Sequence, residues 1–162
     1  MRLVFPPACL VALLLVAGPA FAQSKPAPAL TREERHATEA WKLVAPHLPD
    51  PATTSASTLE TEGDVLRARR FPDDAIDYYN HALDRGGPAS RLLDKIGLTE
   101  LELHNVTLAH AYFVRAVKLG KKDPNAWNNL GASEYIDGNS AAAISAYKKA
   151  IKLNRHEAVY HA

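Results

Sequence analysis

The sequence predicts an all-α fold of helix-turn-helix units, equal in length and stacked on one another, and three observations carry that prediction. With a step of 34 residues and no gaps, Gly63, Gly97 and Gly131 share a column, as do Ala75, Ala109 and Ala143, the aromatics Tyr79, Phe113 and Tyr147, and Ala82, Ala116 and Ala150. Breaks recur between and within units: Gly86-Gly87-Pro88, Gly120 through Asp123-Pro124, and Gly138-Asn139-Ser140. In each second half, alanine, aromatic and alanine lie at i, i+4 and i+7, one helical face that must be buried.

The first segment differs in kind. From Leu3 to Ala22 no side chain is charged; Arg2 gives a positive start, Leu10 to Ala17 an apolar centre, and Ala20-Phe21-Ala22 the small residues of a cleavage site. A signal peptide over 1–22, cleaved after Ala22, is expected, and with it a periplasmic or secreted protein. The alternative is a retained anchor. Against it, Pro6, Pro7 and Pro19 confine uninterrupted helix to about eleven residues, roughly 16 Å against a hydrocarbon core of about 30 Å. No membrane span is therefore expected after cleavage. Cys9 precedes the apolar centre, which argues against lipid attachment there, and its removal leaves no thiol.

Residues 23–30, QSKPAPAL, read as a disordered tether. Thr31 with Glu34 forms a capping box, and Ala37, Ala40, Trp41 and Val44 recur at helical spacing until Pro46 and Pro49, so one leading helix is expected over 31–48. A polar segment from Asp50 to Ser57 leads into three units, 56–89, 90–123 and 124–157, followed by a short tail, 158–162. Small residues in the glycine and alanine columns let paired helices approach closely, and the aromatic fills the space beside them.

The pattern resembles the tetratricopeptide repeat, whose motif runs W-x2-L-G-x2-Y, then alanine, an aromatic and a proline. In the third unit Trp127, Leu130, Gly131, Gly138, Ala143, Tyr147, Ala150 and Leu153 stand at motif positions. The second follows with Ile96, Gly97, Ala109, Phe113, Ala116 and Leu119. The first holds Gly63, Ala75, Tyr79 and Ala82 but has Glu62 for an aliphatic residue and Arg70 for the internal glycine. The family tyrosine is replaced by Leu66, Glu100 and Glu134, with Tyr135 one position later.

The resemblance implies a right-handed superhelix, an α-solenoid, that binds a peptide or partner helix in the concave groove of its first helices. The groove positions it implies are Ser57, Glu60, Asp64 and Arg67, then Arg91, Asp94, Leu98 and Leu101, then Asn125, Asn128, Ala132 and Tyr135. Glu60 and Asp64 make one end acidic, Leu98, Leu101 and Tyr135 offer an apolar floor, and Asn125 and Asn128 can pair with a peptide backbone. An extended segment with a basic and an apolar residue would suit that surface. A family subtype clamps a C-terminal carboxylate with lysine, arginine and asparagine; the matching positions here, Glu60, Asp64, Lys95, Asn125 and Asn129, include two carboxylates that would repel it.

Other function classes find little support. Loss of Arg2 leaves eighteen basic against eighteen acidic residues, without the basic excess that nucleic acid requires. The seven histidines form no metal motif, and no GxSxG, phosphate-binding glycine loop or GxGxxG occurs. No catalytic residue, cofactor or metal is expected. The sequence therefore predicts a non-enzymatic scaffold of the cell envelope with a protein or peptide partner. The alternatives are a structural subunit that self-associates or docks through an uncapped C-terminal face bearing Ile144, Ile151, Val159 and Tyr160, and, more remotely, an envelope enzyme with an unrecognised site.

Overall fold

The computed structural model of the protein describes residues 30–160, and side chains over 30–155. The expected signal peptide and all of the expected tether except Leu30 lie outside the described residues.

Where one leading helix was expected over 31–48 there are three short elements: α1 (Arg32–His36), α2 (Glu39–Val44) and a 3-10 turn (Ala45–His47). The capping box is present, with Glu34 N donating to Thr31 Oγ1 at 3.2 Å and Thr31 N to Glu34 Oε2 at 2.7 Å. Thr38 divides the segment. Its backbone is extended, its hydroxyl donates to the Arg35 carbonyl at 2.6 Å, and it accepts from Trp41 N at 3.3 Å. A threonine that closes one turn and caps the next competes with continuous helix.

Helices this short depend on tertiary contacts. Trp41 stacks on His36 with ring centres 3.8 Å apart and meets the edge of Phe71 at 4.9 Å. Val44 is buried with Leu59, Leu66 and Phe71, while Arg32 and His36 reach Asp74 at 2.7 and 2.9 Å. The leading segment thus packs on the first pair of repeat helices.

That pair is α3 (Ala56–Ala68) and α4 (Pro72–Asp84); α5 (Ala89–Glu102) pairs with α6 (Val106–Leu119), and α7 (Pro124–Ile136) with α8 (Ser140–Tyr160). No strand occurs among the described residues. Pro72 and Pro124 open α4 and α7, where a missing N–H costs nothing. Beyond Gly138 no glycine or proline follows, and α8 runs to Tyr160, three residues into the expected tail.

Within each pair the turn uses one left-handed residue: Arg70 (φ 68), His104 (φ 63) and Gly138 (φ 82), again one repeat apart. The next N–H reaches back five positions, as Phe71 to Leu66, Asn105 to Glu100 and Asn139 to Glu134, at 2.8 to 2.9 Å. These bonds close the helix ends that would otherwise leave carbonyls unpaired.

The glycine column exists because of the aromatic column. A Cβ on Gly63 would lie 2.5 Å from the Tyr79 ring, on Gly97 2.6 Å from Phe113, and on Gly131 2.9 Å from Tyr147. Among the described residues the core forms two apolar clusters. One joins the leading segment to α3, α4 and the start of α5; the other joins α5, α6, α7 and α8.

Candidate functional site: the shared face of the inner helices

The inner helices α3, α5 and α7 carry every residue of the expected groove, and most of the charged ones meet a partner on the next inner helix. Glu60 on α3 has a side chain only 9% exposed; it accepts from Arg91 Nε and Nη2, each at 2.7 Å, and lies 2.8 Å from Lys95 Nζ. The Arg91 hydrogen bonds hold the Glu60 carboxyl below its ordinary range, outweighing the opposite effect of burial, with Lys95 adding to them. Asp64 accepts from Lys95 at 2.6 Å and from the Tyr79 hydroxyl at 2.8 Å. Arg67 lies 3.9 Å from Glu102.

The next step repeats this with an amide. Asp94 on α5 is buried and accepts from Asn129 Nδ2 on α7 at 3.0 and 2.9 Å. Burial pushes its carboxyl above the ordinary aspartate value, and the Asn129 bond only partly offsets this. Behind the face, burial and the Asp64 bond push the Tyr79 phenol up.

The acidic end expected from Glu60 and Asp64 is therefore not presented as bare carboxylate. A preference for a basic ligand residue loses its basis there, because Arg91 and Lys95 already supply the counter-charge. What remains accessible lies toward α7: Asn125, Asn128 and Tyr135 are exposed, Tyr135 at 67%. Leu98 and Leu101 are half-buried against the second cluster, and Ser57 and Ala132 are likewise half-buried or exposed. Arg91 is exposed on the outer side of its pair with Glu60.

Lys95 and Asn129 complete this face although they are not among the expected groove positions; both match clamp positions of the carboxylate-binding subtype. Their signal was a spacing: Glu60 to Arg91 and Asp64 to Lys95 are 31 apart, and Asp94 to Asn129 is 35 apart, each near one repeat length. Among the described residues no group of three or more histidine, cysteine, aspartate or glutamate side chains is placed to hold a metal ion, and no helix is long and apolar enough to cross a membrane.

Residues 95–158 match the profile of the family described as tetratricopeptide repeat. The three helix pairs extend the same pattern over α3 to α8. The matched segment, from within α5 to α8, is of the tetratricopeptide-repeat type. Solved structures of the same fold include the second tetratricopeptide domain of Spaghetti (RPAP3) bound to the HSP90 peptide SRMEEVD, with a TM-score of 0.57 and 16% identity over 60% of this chain and 85% of that one. The Sgt2 tetratricopeptide domain from Aspergillus fumigatus matches with a TM-score of 0.58 and 26% identity, covering 65% of this chain and 68% of that one. MamA matches with a TM-score of 0.57 and 22% identity, covering 70% and 64% respectively. No curated protein matches by sequence. The described chain thus shares the α-solenoid fold of these tetratricopeptide-repeat structures.

Proposed function

We propose that the protein is a non-enzymatic scaffold of the cell envelope, exported by its first 22 residues, that binds a peptide or helix of a partner protein across α3, α5 and α7. The observation that carries this reading is the division of the inner face. Its carboxylates Glu60, Asp64 and Asp94 are matched by Arg91, Lys95 and Asn129, while Asn125, Asn128 and Tyr135 stand exposed beside half-buried Leu98 and Leu101. Such a surface offers backbone-pairing amides and an apolar floor, with little net charge to attract an ion. Peptide binding by the Spaghetti domains supports the choice of ligand class. Internal matching of Lys95 and Asn129 speaks against a clamp for a terminal carboxylate.

The test is affinity capture from envelope extract with the chain and with a variant carrying Asn125→Ala, Asn128→Ala and Tyr135→Ala, all exposed positions whose loss leaves the core intact. A protein enriched by the parent and lost from the folded variant supports the groove; equal enrichment by both removes it. Mass spectrometry of the amino terminus of the cell-fractionated protein tests export: Gln23 as first residue supports it, and an intact Met1 in the cytoplasm refutes it.

A further inference from the structure

We propose that the outward face of α8 receives an acidic amphipathic helix of a partner protein, seated where the next inner helix of the stack would lie. The face repeats an interface that the stack uses twice. Leu83 of α4 packs against both apolar clusters, and Val117 of α6, in the same column, is buried at 6% exposure beside Ala126 and Leu130 of α7. The third member of that column, Ile151, is 55% exposed, and Ile144, in the column of half-buried Ile76 and His110, is 53% exposed. Two isoleucines thus offer the surface that α5 and α7 cover on the preceding outer helices.

Charge selects the occupant. Ile144, Lys148, Ile151 and Arg155 follow at i, i+4, i+7 and i+11, one stripe of the helix, with Lys152 at its side. All five are exposed, and no acidic residue occurs between Ser140 and Arg155. The preceding interface shows how such a surface is met: His110 of α6, in the column of Ile144, contacts Glu134 of α7 at 2.9 Å. That contact is also what holds the Glu134 carboxyl below its ordinary range. An incoming helix with aliphatic residues on one stripe and glutamates flanking it satisfies both features. A second copy docked face to face would bring Lys148, Lys152 and Arg155 against their own equivalents, which opposes it.

The probe is a labelled synthetic amphipathic helix of about four turns, with leucines on one stripe and glutamates beside it. Its counterpart carries lysines for the glutamates, and binding to the 162-residue chain is read by fluorescence anisotropy. The acidic helix is expected to bind and the basic one not. Ile144→Ser with Ile151→Ser, and separately Lys148→Glu with Lys152→Glu, should each weaken binding by about tenfold or more. The groove variant at Asn125, Asn128 and Tyr135 should bind the probe like the parent, so this site and the groove fail independently. Because the changed side chains are exposed, thermal melting followed by circular dichroism should be unchanged. Equal binding of both helices, binding of neither, or binding retained by the isoleucine variant overturns the proposal. So does a concentration-dependent dimer abolished by the same variants, which would assign the face to a second copy.

Discussion

Arg91 grips Glu60 with two parallel hydrogen bonds of 2.7 Å, so the inner helices of the first and second repeats are joined by a forked ion pair at one end of the groove. Arg91 itself is largely exposed, and Lys95 remains on Glu60 when it is removed. Arg91→Ala should therefore cost only about 1 kcal/mol of stability. The Glu60 carboxyl is held below its unfolded value near 4.5, so its contribution is fully present above that value and is lost as pH falls through the lower folded value. Urea denaturation at pH 7 and again at pH 3 should show the gap between parent and variant narrowing in acid. A gap that widens would contradict the assignment.

The glycine column predicts unequal costs for one small change. Gly97→Ala sets a methyl 2.6 Å from the fully buried Phe113 ring, and the overpacking cost of about 1–3 kcal/mol should outweigh the gain in helix propensity of about 1 kcal/mol. Gly131→Ala meets the half-buried Tyr147 at 2.9 Å, and that ring has solvent to move into, so the cost should be smaller. Denaturation midpoints of the two variants, compared directly, decide it.

Asp94 should respond to pH in the opposite sense from Glu60. Burial raises its folded value above 3.8, so the folded state keeps the proton longer and stability from this group falls as pH rises through the folded value. Asp94→Asn keeps an acceptor for Asn129 and removes the buried charge. The variant should melt higher than the parent at pH 7, and the difference should shrink toward pH 3; a lower melting temperature at pH 7 would mean that the carboxylate contributes more through Asn129 than it loses by burial.

The turn column gives a paired test. His104 and Gly138 occupy equivalent left-handed positions, and Gly138 has no neighbour for an added methyl to strike. Gly138→Ala should cost about 1 kcal/mol from backbone conformation alone. His104→Gly should recover up to about 1 kcal/mol, less the extra freedom that glycine gives the unfolded chain. Thermal melts of both variants suffice.

Much of the fold was legible because the repeat writes the same packing problem three times. Gly63, Gly97 and Gly131 stood in register with the aromatics they touch, and helices ended at Gly86-Gly87-Pro88, Gly120 to Pro124 and Gly138, whereas the turns at Arg70 and His104 carry no glycine to announce them. The break at Thr38 was less legible, since Ala37, Ala40, Trp41 and Val44 keep helical spacing across it and only the hydroxyl bonds of Thr38 betray two helices. The groove positions were readable as positions, but their state was not. Whether Glu60 faces a ligand or Arg91 depends on how one repeat rotates on the next, which single-helix periodicity does not encode.

Leu83 and Tyr112 belong to both apolar clusters, so the stack has a seam crossed by two side chains rather than one continuous interior. Force applied to the carboxyl end would load the second cluster first, and α7 with α8 would peel away while the leading segment still clasped α3 and α4. Amide hydrogen exchange should then run as a gradient along the stack, fastest in α8 and slowest around Leu59 and Tyr79, making the protein behave less like a rigid clip than like a spring anchored at one end.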